Sequence, residues 1–349
     1  MKQHLISFLK FLFFLSIGLG ILYWVYQNQQ ANYQAQCVID HIPMEDCDLA
    51  DKLAADFSQV KPFWIAMVVL CFMLSNIIRA FRWSMLIEPL GKKVRSSNTF
   101  MALMLGYLIN YIVPRAGEVA KCAAINRYEK VAVEQLVGTI VVSRSLDVIC
   151  FGIFIALAFL LNFDILWGYL NASVFQGTHE PLWMSYWLWA AVTLICLALV
   201  IGWIKREGLK QTIIFQKIWS ILLGLWKGVK TISQLRRPGL FWLNTALIWI
   251  LYYLMHYLAF FAFEPTAHLT PADGLTLFVF GSLGIIIPSP GGLGSYQYLV
   301  TLALSEFYAI APVDAFSFSM IVFFPPFICN ILFGFLSLIL LPAVNRMRE

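Results

Sequence analysis

The chain has 349 residues, of which 60% are hydrophobic and only 12% charged. A soluble domain is nearer half apolar and a quarter charged, so that class is excluded. The alternating segments of a membrane β-barrel are missing too. The net charge of +5 comes from basic residues in loops between apolar runs, which is a topology signal and not one for nucleic acid.

Long apolar runs recur along the whole length. The expected fold is therefore all-α: a polytopic integral membrane helix bundle forming one multi-pass domain over residues 1–349. Leu5 to Tyr26 is the first run. It is too long for a signal-peptide core, and QNQQANYQ after it offers no small-residue cleavage site, so a retained helix with a cytoplasmic N-terminus is expected. A polar loop follows, about residues 28–61, with Asp40, Glu45, Asp46, Asp48, Asp51 and Asp56 against Lys52 and Lys61. Its scarcity of lysine and arginine places it outside. Cys37 and Cys47 lie in this loop and form a disulfide if the compartment is oxidising. The other cysteines sit in apolar sequence and read as small packing residues.

Pro62 to Phe81 is the second span, ending in IIRAFRW with Lys92, Lys93 and Arg95 beyond it on the cytoplasmic side. Arg79 and Arg82 either gather phosphate or, with Trp83, anchor the helix at the interface. Thr99 to Val113 is apolar but short for a crossing at about 1.5 Å per residue. The basic stretch from Arg115 to Lys130 should be inside, because the loop from Asn162 to Pro181 contains no lysine or arginine and should be outside. Both conditions hold if the segment dips into the membrane and turns back at Pro114. Irregular backbone at that depth is tolerated only where it is buried or lines a cavity.

Proline disfavours a helical residue before it and suits the first position of a new helix. A helix is therefore predicted to start at Pro114, with Arg115 and Glu118 in its opening turns. Free N–H groups and a guanidinium there suit an anionic headgroup. Arg144 and Asp147 stand three apart on one face of the next helix. Charges inside membrane segments mark functional sites by default. The bland alternative is a pair of structural ion pairs, Arg115–Glu118 and Arg144–Asp147.

Trp183 to Trp203 is a further span. A basic segment at about 205–237 reads as amphipathic helices on the inner leaflet. Phe241 to Phe263 spans back out. Gly274 to Ile287 then runs into PSPGGLGSYQY, where Pro288, Pro290, Gly291, Gly292 and Gly294 break the helix inside apolar sequence. Two crossings and one re-entrant hairpin put the C-terminus on the same cytoplasmic side, so loop charge leaves both topologies open. Phe316 to Leu341 is the last span.

Four motifs in order resemble the flippase-like family typified by the membrane region of lysylphosphatidylglycerol synthases. Arg79, Arg82 and Trp83 resemble its R-x-x-R-W. Asn110, Pro114, Arg115, Gly117 and Glu118 resemble its N…P-x-R-x-G-E, and Arg144 and Asp147 its R-x-x-D. Pro290, Gly291, Gly292 and Gly294 resemble its P-G-G-x-G. The chain departs from the pattern at Tyr296 and Gln297, where many members carry arginine and glutamate, and at Lys121, where arginine is common. No aminoacyl-transferase domain follows Glu349 in this sequence.

The resemblance implies a lipid translocator or lipid-binding transport protein of the cell (inner) membrane, for an anionic phospholipid or a polyprenyl-phosphate lipid. Arg79, Asn110, Pro114, Arg115, Gly117, Glu118, Arg144 and Asp147 would form the headgroup site. Pro290, Gly291, Gly292, Gly294, Tyr296 and Gln297 would belong to the same lipid site, with the Gly291–Gly294 loop gating its other side. No cofactor or metal is expected, and no ATP-binding P-loop is present. A homo-oligomer or envelope-biosynthesis enzymes are the protein partners envisaged. The competing reading is a membrane glycosyltransferase with a polyprenyl-phosphate donor, its metal held by Glu45, Asp46 and Asp48.

Overall fold

The computed structural model describes residues 2–39, 41–44, 47–113, 116–175, 235–287 and 289–346. The expected span at 183–203, nearly all of the basic segment at 205–237, and Pro114, Arg115, Pro288, Glu45 and Asp46 lie outside the described residues. Those described form helices and no strand. Four helices among them are long and apolar enough to cross a membrane: Pro62–Leu90, Val133–Leu161, Pro238–Phe260 and Pro312–Asn345.

Helix α1 (Lys2–Ile39) runs well past the expected Tyr26, and α2 (Leu49–Gln59) follows. The segment read as a polar loop is thus largely helical. Asp48 explains the start of α2, because its carboxylate accepts the Ala50 N–H at 2.9 Å as an N-cap. Cys37 and Cys47, whose pairing the sequence left conditional, are disulfide-bonded and tie the end of α1 to the approach of α2.

The rest of the described chain falls into two halves of the same form. In the first, α3 (Pro62–Ile87) is followed by α4 (Ser96–Ile112), α5 (Gly117–Glu129) and α6 (Val133–Leu161). In the second, α8 (Pro238–Phe260) is followed by α9 (Pro271–Ile286), α10 (Ser295–Tyr308) and α11 (Pro312–Arg346). Helix α7 (Phe163–Phe175) follows α6. Each half is a long helix, a pair of short helices and a second long helix.

Side-chain contacts fix the direction of each element. The Lys61 N–H donates to the Ala262 carbonyl at 3.0 Å, joining the start of α3 to the end of α8. At the other pole Arg82 donates to Thr245 at 3.3 Å, so α3 and α8 are antiparallel. Helix α6 begins beside the end of α3, where Trp83 donates to Thr139 at 3.0 Å. It ends beside α9, where the Asn162 amide donates to the Ala272 carbonyl at 2.8 Å. Helix α11 begins at Lys52 through Asp314, 2.9 Å away, and ends at Asn98 through Asn345. The second half therefore runs opposite to the first, the architecture of inverted repeats.

The short pairs are re-entrant hairpins. Helix α4 returns at the break 113–116, and α5 brings Glu129 back to the base of α4. There the Glu129 carboxylate accepts from the Arg95 backbone N–H at 3.2 Å and from the Asn98 amide. This is the dip and return predicted from loop charge. Helices α9 and α10 return likewise from the opposite pole, with Phe280 and Phe307 packed edge to face at 5.1 Å. The open topology question at 274–311 is settled as a hairpin. Its turn depends on glycine: Gly291, Gly292 and Gly294 have φ of 64°, 85° and 82°, a region other residues rarely adopt.

The two hairpin tips meet. The Tyr111 ring at the end of α4 lies on the Gly291 backbone, packs on Phe327 at 4.8 Å and accepts a hydrogen bond from Asn330 at 2.8 Å. Each hairpin also leans on the last long helix of the other half. Helix α4 approaches α11 where Gly334 leaves room for Leu108, and α9 meets α6 at Asn162.

Candidate functional site

The end of α3 does not stop at Phe81. It continues to Ile87 and carries Arg79 and Arg82 into the interior. Arg82 is fully buried at 0% exposure, and Trp83 at 4%. The interface-anchor reading of both therefore fails: the face of α3 that carries them packs against α6 and α8. Trp83 donates to Thr139 and carries the Lys121 ammonium over its ring at 5.1 Å.

Asp147 of α6 lies between the two guanidiniums. Its carboxylate accepts from Arg79 at 2.9 Å and from Arg82 at 2.8 Å. Arg82 also donates to Ser143 at 3.0 Å. Arg144 stands 3.8 Å from Asp147 and donates through Nε to Glu118 at 3.0 Å. Glu118 pairs in addition with Lys121, three residues on in α5. The local pair Arg144–Asp147 is kept as the longer contact and is joined by cross-helix ones. Glu118 serves Arg144 and Lys121, and Asp147 serves chiefly the arginines of α3. Arg115 lies outside the described residues.

Among the described residues, four cations and two carboxylates converge here from α3, α5 and α6, a surplus of two positive charges. The cluster is graded in exposure. The Arg82 side chain is sealed at 1%, Arg79 and Lys121 are nearly so, and Arg144 is half open at 49%. Tyr252 of α8 closes one wall, its ring 5.4 Å from the Arg79 guanidinium. The Nε atoms of Arg79 and Arg82 have no hydrogen-bond partner among the described residues.

Asn110 and Gly117 serve the hairpin itself. The described part of α5 begins at Gly117, not Pro114, and the Asn110 side chain accepts the Gly117 N–H at 2.8 Å. That bond satisfies one of the orphan donors at a helix start. A Cβ at Gly117 would run into the Gly106 carbonyl and the Asn110 amide, so both glycines let α4 and α5 touch backbone to backbone.

The second set of predicted residues does not join the cation cluster. Gly291 packs on Tyr111, and Gly294 packs on the backbone of α1 at Gly18. The Gln297 side chain accepts the Gly294 N–H at 2.7 Å and so caps α10. Tyr296 is buried against Phe323 and His256. Lys121, Ser143 and Tyr252 were not singled out as site residues from sequence, and Arg82 only as one of two readings, a phosphate contact or an interface anchor. The three-residue spacings Arg79–Arg82 and Glu118–Lys121 were the available signals.

At the pole that carries the disulfide, Lys52 bridges Asp56 and Asp314, and Asp56 also accepts from Ser317 at 2.6 Å. These residues border an open cleft of about 600 Å³ with Lys61 and Glu264. Burial alone would lower the Lys52 pKa, but hydrogen bonds and charge from Asp56 and Asp314 prevail and raise it.

A family model for the lysylphosphatidylglycerol synthase transmembrane region matches residues 49–334. A UPF0104 membrane protein of Methanothermobacter thermautotrophicus is 24% identical over 270 residues, 73% of this chain and 78% of that protein. Another, from Methanocaldococcus jannaschii, is 25% identical over 122 residues, 34% of this chain and 36% of that protein. No solved structure matches. The matched region takes in every described element from α2 to the middle of α11, both hairpins and the whole cation cluster, and on that extent the chain belongs to the lysylphosphatidylglycerol synthase transmembrane-region family.

Proposed function

We propose that this membrane protein binds and translocates a lipid with an anionic, phosphate-bearing headgroup, an anionic phospholipid or a polyprenyl phosphate. The surplus of two positive charges at Arg79, Arg82, Lys121 and Arg144 carries the reading. Uncompensated charge in a bundle interior is costly, and an anion relieves it. A single negative charge about 4 Å from one such cation gains roughly 4 kcal/mol at an effective dielectric of about 20. A headgroup entering from the open side meets Arg144 first, then the Arg79 and Lys121 level. Glu118 and Asp147 hold the cations in place, each carboxylate shared by two or more of them. The opposed hairpins supply two broken elements at mid-depth, the usual surroundings of a transporter site.

Of the three carboxylates the glycosyltransferase reading rests on, Asp48 is engaged in capping α2, and Glu45 and Asp46 lie outside the described residues.

Mass spectrometry of lipids retained in mild detergent tests the proposal. The wild type should hold one phosphate-bearing class selectively, and Arg144→Ala should lose that selectivity while folding normally. Equal, unselective lipid in both proteins would overturn it.

A further inference from the structure

Translocation against a gradient needs a coupled ion, and the two carboxylates of the cation cluster are poor carriers because arginine or lysine grips both. Elsewhere in the bundle His256 is different. It sits on α8 one helical turn beyond Tyr252, whose ring covers Arg79. It is 7% exposed. Its Nδ1 lies 3.0 Å from the Tyr252 carbonyl, which makes Nδ1 the protonated nitrogen and leaves Nε2 bare. Nε2 has no hydrogen-bond partner among the described residues. It points at the backbone of α9, where a Cβ on Gly281 would lie 2.9 Å from Nε2 and 2.8 Å from the Tyr296 ring. Glycine at 281 thus opens a niche that the imidazole and Tyr296 share. Phe278 closes it edge-on, its ring centroid 5.4 Å from that of the imidazole.

We propose that His256 is a proton-binding site that couples protonation to movement of the α9–α10 hairpin. The inference rests on the translocator reading for its purpose, not for its geometry. The groups facing His256 are few. Helix α9 contributes Phe278 and Gly281, and α10 contributes Tyr296. Its own helix contributes Tyr252, and α3 approaches through Arg79, already paired with Asp147. Among the described residues no ion pair reaches the imidazole. A proton gained at Nε2 creates a cation with no counter-charge against an apolar, glycine-lined face. The relief available is separation of α9 from α8, which admits water or an anion. Because α8 carries both Tyr252 and His256, that separation begins one turn from the headgroup cluster.

Hydrogen exchange of the purified protein, corrected for intrinsic rates, reads the movement directly. As pH falls from about 8 to about 4, α9 amides of the wild type should exchange at least several-fold faster, while α4 and α5 amides do not. His256→Gln, which keeps a donor for the Tyr252 carbonyl, should abolish that response. A wild-type α9 that ignores pH, or a His256→Gln protein that responds like wild type, overturns the inference. If the variant does not fold, the wild-type contrast between hairpins still decides. A second arm follows a fluorescent phosphatidylglycerol in vesicles under an imposed pH gradient. Acceleration in the wild type and none in His256→Gln is expected. Equal acceleration in both overturns the inference, whereas a wild type that moves no lipid overturns the translocator reading and leaves the exchange arm to judge His256.

Discussion

Asp147 is the residue on which the cation cluster turns. Two guanidiniums of α3 share its carboxylate, and one of them is sealed from solvent. Asp147→Asn keeps the shape and removes the charge, so two buried cations lose their counter-ion. Loss of one partner of a buried pair costs about 3–5 kcal/mol. The expected outcome is a large drop in thermal midpoint in detergent, with the double variant Asp147→Asn, Arg82→Met recovering part of it. Glu118→Gln should cost less, since half-exposed Arg144 is screened by solvent and only Lys121 of its two partners is nearly buried. The sequence made these charges visible but not their partners. Arg79 and Asp147 are 68 residues apart, and i,i+3 spacing pointed to the nearer Arg144 instead. Arg82 was misjudged because the apolar run looked finished at Phe81, and only packing against α6 and α8 shows that the helix continues.

Helical hairpins hold the next level of argument. The first is clamped at its base, where Glu129 accepts from the Arg95 backbone and the Asn98 amide, and Asn98 exchanges hydrogen bonds with Asn345 at the end of α11. Glu129→Ala should free that base and raise hydrogen exchange in the last turns of α5 about tenfold for each 1.4 kcal/mol lost, leaving α9 and α10 unchanged. This hairpin was legible because loop charges on both sides had to be reconciled. The second was not, since a pair of crossings leaves every flanking charge on the same side. What decides it is the 14-residue length of α10 and its packing back along α9.

On the other pole Lys52 links α2 to α11, and its raised pKa sets a sign. A cation whose folded pKa exceeds the unfolded value stabilises fully below the ordinary lysine value and loses that contribution as pH climbs through the folded one. Thermal midpoints of the wild type should therefore fall as pH rises past about 10.5, and those of Lys52→Met should fall less over that range.

At the scale of the whole molecule, the halves are assembled crosswise, each hairpin braced by the far long helix of the other half. Motion of one hairpin must slide along that brace. Leu108 and Gly334 mark the brace of the first, where a Cβ at 334 would stand 2.6 Å from that of Leu108. A small adjustment brings a cysteine pair there to disulfide spacing. Leu108→Cys, Gly334→Cys should, once oxidised, still retain lipid but stop its movement between leaflets. Mild reduction should restore movement, with each single variant as control. Composition made the membrane bundle plain. The repeat was invisible in sequence, because the halves share lengths and directions but not residues: α3 and α6 bring charge to the centre, while α8 and α10 bring His256 and Tyr296.

That mismatch between a symmetric frame and a one-sided charge has a kinetic meaning. On the proposed reading, a phosphate crossing the protein meets a deep well near one hairpin and, among the described residues, the uncharged, aromatic surroundings of His256 and Tyr296 near the other, so its energy profile is skewed. Half-saturation should come at lower lipid density from the leaflet nearer the well, and release toward that leaflet should be the slow step. Detailed balance forbids such skew from driving net flow by itself. It makes the protein a rectifier of rates, responsive to supply on one side and to removal on the other.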